Sequence, residues 1–321
     1  MTRILIAALL LALAAGQVGA EEKTWRHGLL EAKADAGFMT MVARGFDKEQ
    51  GIKVELVQFK NDVAPLQALL AGELDSFEGG PQGVIIASGR GADLKIIGCH
   101  YPGVPHGIFA RANITKPADL QGKTLAISAP RSFPDVFAHA VLAKFSIPAE
   151  SVRFANLGSD VDRFKAIAAG VADAGVISSE YLPIAEKEGV HLLVAGRDVL
   201  PDYIRTCIMT SGKVLSARHA DAVHFIAAEM SAIAYTLAHR EETIARTREM
   251  TGAKPDDPRA AFLYDDAVKH HDVDPTLGVP VAKLEWLEQL VVKDGQLPAP
   301  YDINKAIDPA IRAEAQALAK K

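Results

Sequence analysis

A ten-residue phrase occurs twice in this chain, 98 residues apart. Ala68-Leu-Leu-Ala-Gly-Glu-Leu-Asp-Ser-Phe77 lies over Ala166-Ile-Ala-Ala-Gly-Val-Ala-Asp-Ala-Gly175, with Ala68/Ala166, Ala71/Ala169, Gly72/Gly170 and Asp75/Asp173 identical. Each copy reads as a helix, a glycine stop, an aspartate and a strand. The same offset sets Gly28-Leu29-Leu30 over Ala126-Ile127-Ser128 and Val54 and Leu56 over Val152 and Phe154. It also sets Leu94–Gly98 over Leu192–Gly196. Four elements in register predict two lobes with one βαβαβ order, a pattern that shared ancestry or a shared architecture would equally produce.

The first lobe reads as strand 25–30, helix 36–49, strand 52–59, helix 62–72, strand 74–77, helix 81–89 and strand 94–98. The second repeats this from about Lys116 to Gly196. Strands alternating with helices predict parallel sheets covered on both faces. His106–Arg111 and Ile204–Ser211 are extended runs at the lobe borders, which predicts a two-strand hinge over a cleft. The assignment is residues 21–110 plus 207–321 for lobe 1 and 111–206 for lobe 2. Helical stretches at 219–250, 257–270, 280–292 and 309–320 bring no strands, so they are expected to pack on the first lobe.

The N-terminus carries its own prediction. Arg3 is followed by an apolar run from Ile4 to Ala15 and by small residues Val18-Gly19-Ala20, so residues 1–20 read as a secretory signal peptide. The run is too short for a membrane anchor, no later stretch is long enough to span a bilayer, and no Cys stands near the cleavage point to carry lipid. A net charge of −5 gives no nucleic-acid signature. The expectation is a soluble, exported, periplasmic monomer. Its two cysteines, Cys99 and Cys207, lie in strand-like runs and leave open either a disulfide or two buried thiols.

In open α/β sheets ligands bind beyond the carboxyl ends of strands, which here names the loops Glu31–Gly37, Gly79–Gln82, His100–His106, Ser128–Phe133 and Ser178–Tyr181. Within Asp119–Asp135 the chain passes from an apolar strand to a helix N-terminus, whose free N–H groups beside Arg131 suit an anion. Ser128, Ser132 and Phe133 share that loop. Gly79 and Gly80 allow close backbone approach ahead of Gln82, or form only a tight turn. Ser178, Ser179 and Tyr181 offer hydroxyls and a ring, or serve as a cap. Phe38 and Tyr101 are candidate rings to cover a ligand, and Lys33 and Asp35 are candidate polar contacts.

The signal peptide, the doubled helix-Gly-Asp-strand phrase and Asp119-Leu-Gln-Gly-Lys123 together resemble solute-binding proteins of ABC importers for sulfonates, taurine, nitrate and thiamine pyrimidine precursors. The resemblance covers essentially the whole mature chain. It implies the type II periplasmic-binding-protein fold, two α/β lobes joined by a two-strand hinge over a ligand cleft. It also implies capture of a small solute, here an anionic sulfonate or carboxylate, with no cofactor and delivery to a permease. Carried onto this chain, the family's ligand loops fall on Glu31–Phe38, Gly79–Gln82, Ser128–Phe133 and Ser178–Tyr181. The first departs from an aromatic-rich form, which argues against a large stacked ring. Three other classes are weighed: pyrimidine-precursor binding, pyrimidine synthesis, and a ligand receptor for a signalling partner. The synthetic branch carries a cysteine cluster with no counterpart here. No Gly-x-Ser-x-Gly elbow or phosphate loop occurs, and His219, His224, His270 and His271 lack metal spacing. Binding without catalysis and without metal is the expectation.

Overall fold

The structure, a computed structural model, describes residues 24–30 and 36–319. Lys33, Asp35 and the whole signal-peptide assignment lie outside those residues. The chain opens with β1 (Thr24–Leu29), α1 (Ala36–Arg44), α2 (Phe46–Glu49), β2 (Lys53–Gln58), α3 (Val63–Ala71), β3 (Ser76–Gly79), α4 (Gln82–Gly89) and β4 (Leu94–Tyr101). The single helix expected over 36–49 is broken by Gly45, whose φ of 79° is left-handed. A second set follows: β5 (His106–Arg111), β6 (Thr124–Ile127), α5 (Phe133–Lys144), β7 (Arg153–Asn156), α6 (Asp160–Ala168), β8 (Ala174–Ser178), α7 (Leu182–Ala185), β9 (Val190–Ala195) and α8 (Gly196–Val199). The chain then returns through β10 (Thr206–Ser211) into α9 (Gly212–Ala238), α10 (Arg240–Thr251), α11 (Arg259–His270), α12 (Val281–Lys293) and α13 (Pro309–Ala319).

Two five-stranded sheets result, ordered β2-β1-β3-β10-β4 and β7-β6-β8-β5-β9. The expectation of purely parallel sheets is corrected. β10 runs antiparallel between β3 and β4, and β5 antiparallel between β8 and β9. Each is the strand by which the chain crosses from the other lobe, so it enters its sheet against the direction of the βαβ strands. Because β5 pairs on both sides within the second sheet, the first crossing falls at 102–105, earlier than the border drawn after residue 110. Cys99 on β4 and Cys207 on β10 form a disulfide, which resolves the alternative left open by the sequence.

The repeat has a physical basis at two points. Gly72 and Gly170 end α3 and α6 with φ of 80° and 76°, a conformation a side chain would strain. Asp75 Oδ2 accepts the Arg26 N–H at 2.8 Å, and Asp173 Oδ2 accepts the Thr124 N–H at 2.9 Å, 98 residues on. In each lobe the aspartate pins the strand after the helix to the first strand. Apolar side chains seal each sheet beneath: Trp25 and Phe38 stack on Phe225 of α9 in lobe 1, and Phe164 packs on Tyr181 in lobe 2. The C-terminal helices cover the first lobe as expected, with one exception. α11 packs on α7 and the Ser179–Tyr181 turn of the second lobe. Among the described residues no helix is long and apolar enough to cross a membrane.

Candidate functional site: the cleft between the lobes

The same offset that builds the sheets sets two carboxylates face to face. Asp62 precedes α3, and Asp160 opens α6. Asp160 is paired with Arg163, one helical turn on, whose guanidinium also donates to the carbonyls of Gly158 and of Val176, the latter at 2.8 Å. Arg163 is only 3% exposed, so this cation is committed to holding the lobe together. Asp62 points the other way. Its Oδ2 accepts the Phe133 N–H at 3.0 Å and the Gln82 amide at 3.4 Å, and its full burial raises its pKa. The Phe133 contact joins the first lobe to the first turn of α5 in the second.

Between the carboxylates stand His106 and Arg205, one on each crossing. The Arg205 guanidinium lies 4.7 Å from the Phe133 ring centroid, and Phe133 meets His106 and Tyr203 edge-on. His106 Nε2 is 3.8 Å from Asp160 Oδ2, and burial pushes the imidazole down to a pKa of about 4, so it is neutral at pH 7. Deeper in lobe 1, Glu78 accepts the Leu30 N–H at 3.1 Å and holds His100 Nε2 at 3.0 Å.

The cleft has two compartments. A small polar one is lined by Lys60, Asn61, Asp62, Ser128, Asp160, Arg163 and Arg205. A larger one shares His106, Asp160 and Arg205 and runs past Phe38, Tyr101 and Glu229 to Leu237, Leu263, Tyr264 and Val268. Two further contacts hold the lobes together behind it. Ser179 Oγ donates to Asp266 Oδ2 at 3.1 Å, and Arg197 pairs with Asp266 and Asp272.

A family model described as NMT1/THI5 like matches residues 34–243, which take in the cleft-facing loops of both lobes. The chain belongs to the NMT1/THI5-like family. No curated protein matches its sequence. Solved structures of similar fold include the periplasmic aliphatic sulphonate binding protein SsuA from Escherichia coli. It is 23% identical, with 89% of this chain and 92% of that one covered and a TM-score of 0.70. The alkanesulfonate-binding protein SsuA from Xanthomonas axonopodis pv. citri, bound to MOPS, is 19% identical over 89% and 98%, with a TM-score of 0.75. The periplasmic nitrate-binding protein NrtA from Synechocystis PCC 6803 is 15% identical over 93% and 89%, with a TM-score of 0.76. At these identities the likeness is one of fold, and the fold is that of the periplasmic binding proteins.

The sequence-derived candidates divide within this family fold. Phe38, Tyr101, Ser128, Phe133 and Ser178 line the cleft. Ser132 lies buried just behind, its Oγ donating to the Ala129 carbonyl at 2.6 Å and accepting from Ser128. Ser179 bonds across the lobes, and Tyr181 is packed under Arg259. A Cβ on Gly80 would collide with the Gln82 amide, whereas one on Gly79 would meet only ordinary contacts with Phe77, Met209 and Asp62. Arg131 is exposed and lines a separate groove with Asp62, Gln67, Gln82 and Arg90. Lys60, Arg163 and Arg205 are the cations that line the cleft compartments, and the sequence reading selected none of them. Nor did it select Asp62, Asp160, His106 or Glu229. The repeat itself held the signal for two of these, because Asp62 and Asp160 are separated by the same 98 positions.

Proposed function

We propose that this chain is an extracytoplasmic solute-binding protein that captures a small organic solute between its lobes and presents the closed form to the permease of an ABC importer. The observation that carries this reading is the convergence of polar groups from both lobes and both crossings on one cleft: the buried Asp62, Ser128, Asp160, Ser178 and His106 and the half-buried Arg205. A ligand touching both walls favours the closed arrangement by its differential affinity for it. That proteins of the same fold are sulfonate- and nitrate-binding supports the reading. An acidic head group, sulfonate or carboxylate, would meet Arg205 over the Phe133 ring, the role the sequence reading gave to Arg131. The protein acts as a periplasmic monomer, and the solute leaves unchanged.

A thermal-shift screen against sulfonates, taurine, nitrate, carboxylates and pyrimidines tests this. A binder at 100 times its dissociation constant adds about 2.7 kcal/mol of stability. Small-angle scattering on the hit should show a smaller radius of gyration, and Arg205→Ala should weaken an acidic hit by roughly tenfold or more. A hit that is chemically consumed, or binds without compaction, would sink the reading.

A further inference from the structure

Glu229 sits in the middle of α9 and is fully buried, with both carboxyl oxygens lacking any hydrogen-bond partner among the described residues. Burial of an unpaired carboxyl is costly, and a native fold tolerates it where something else completes the group. The residue lines the larger compartment beside Phe38, His100 and Ile233. Its placement is built into the backbone above it, because a Cβ on Gly37 would lie 2.5 Å from Glu229 Oε1. Only glycine leaves the carboxyl room under the first turn of α1.

Its surroundings define what would complete it. The titratable and charged groups facing this compartment are Glu78 behind it on β3, His100 on β4 and, across the cleft, His106, Asp160, Glu180 and Arg205. His100 uses Nε2 to donate to Glu78, and its Nδ1 has no partner. On this wall two carboxyls, Glu229 and Glu78, stand against the one imidazole of His100, a setting that suits a cationic hydrogen-bond donor. Burial together with the nearby Glu78 charge pushes the Glu229 carboxyl well above the usual carboxylate range, which favours its protonated form.

We propose that Glu229 is a ligand-contacting residue, the floor of a subsite formed with Phe38, His100 and Tyr101 that receives a protonated nitrogen group of the solute, with the solute's apolar body lying against α9, α10 and α11. This rests on the solute-capture reading and assigns the end of the ligand remote from Arg205. The proton balance is explicit. A neutral carboxyl meets an ammonium or amidinium, the carboxyl proton leaves to solvent, and a carboxylate–cation pair remains. Affinity for such a group therefore rises with pH until Glu229 is ionised in the empty protein.

Benzylamine, benzyl alcohol and benzoate, one ring with a cationic, neutral or anionic substituent, test the assignment by calorimetry on the mature protein. The amine should bind at least roughly tenfold more tightly than benzyl alcohol, with about one proton per amine released, read from buffers of different ionisation enthalpy, while benzoate reports on the Arg205 end and should bind Glu229→Gln as it binds the parent. Glu229→Gln keeps the size and neutrality of the empty state, so it should fold; it should lose the amine preference by about thirtyfold or more and abolish proton release. Equal binding of the amine and the alcohol by the parent, or an amine preference over the alcohol surviving in Glu229→Gln, overturns the subsite. A sulfonate or carboxylate hit with compaction in the broader screen would then leave solute capture standing. Loss of both would overturn that reading as well.

Discussion

Asp62 and Asp160 occupy the same place in the two halves of the molecule and bond in opposite directions. In the second lobe Asp160 turns inward to Arg163, and the pair ties the start of α6 to the Gly158 and Val176 carbonyls. In the first lobe the position that matches Arg163 is Pro65, which offers no cation, and Asp62 reaches across the cleft to the Phe133 N–H. The difference teaches how a repeated scaffold divides its labour. One copy of the carboxylate fixes its own lobe, and the other fixes the relation between lobes.

Breaking the inward member should cost most. Arg163→Ala removes the guanidinium paired with the buried Asp160 and leaves two carbonyls without that donor, which is expected to destabilise the protein by about 3–5 kcal/mol. Hydrogen exchange should show the loss in α6 and β8 while β1 to β3 keep their protection. A uniform loss across both lobes would refute the local role. Acid should strike next. The folded-state pKa of His106 is depressed to about 4 from an ordinary 6.5, so its contribution is fully present above pH 6.5 and is lost as pH falls toward 4, because the unfolded chain takes up the proton first. The loss is on the order of 3 kcal/mol for this group, and His106→Gln should remove that share of the slope. In lobe 1 His27, similarly pushed down to about 3, would keep its own slope in the same variant.

Breaking the outward member should cost less and appear elsewhere. Asp62 makes no side-chain cap to α3, so Asp62→Ala should barely weaken lobe 1. Its loss removes one buried bond between lobes, about 1–2 kcal/mol, and should appear as a larger radius of gyration for the ligand-free protein. Unchanged dimensions with a destabilised first lobe would reverse the comparison.

The scaffold was readable because it is written twice. Gly72 and Gly170 must be glycine to turn left-handed, and Asp75 and Asp173 must be short acids to reach a strand amide, so two copies show as identities at a fixed offset. The crossing strands read only as the extended runs His106–Arg111 and Ile204–Ser211, without their direction. β5 and β10 are set by where the chain passes between lobes, and their antiparallel insertion leaves no periodicity to detect. The cleft was only half legible for a related reason. A loop-position rule finds Ser128, Phe133 and Ser178, but it misses Glu229, which sits on the buried face of a long helix and reads as one charge on an amphipathic stretch. Arg205 falls within the extended run Ile204–Ser211 and gains meaning only when the return crossing passes over Phe133.

Arg131 supplies the smallest expected effect and the sharpest test of loop-based reasoning. Its backbone has a φ of 65°, and its N–H donates to Asp135 Oδ2 at 2.6 Å, so what the loop requires of this residue is its backbone, which any substitution but proline retains. The guanidinium is exposed and lies in a groove apart from the compartments that hold His106 and Arg205. Arg131→Ala leaves the φ strain and the Asp135 bond as they are and removes only that surface charge. Affinity for whichever solute the screen identifies should change within about twofold, chiefly through a slower association at low salt. A loss of tenfold or more at moderate salt would mean that the loop swings Arg131 into the cleft when ligand binds, and would restore it as the anion-holding residue.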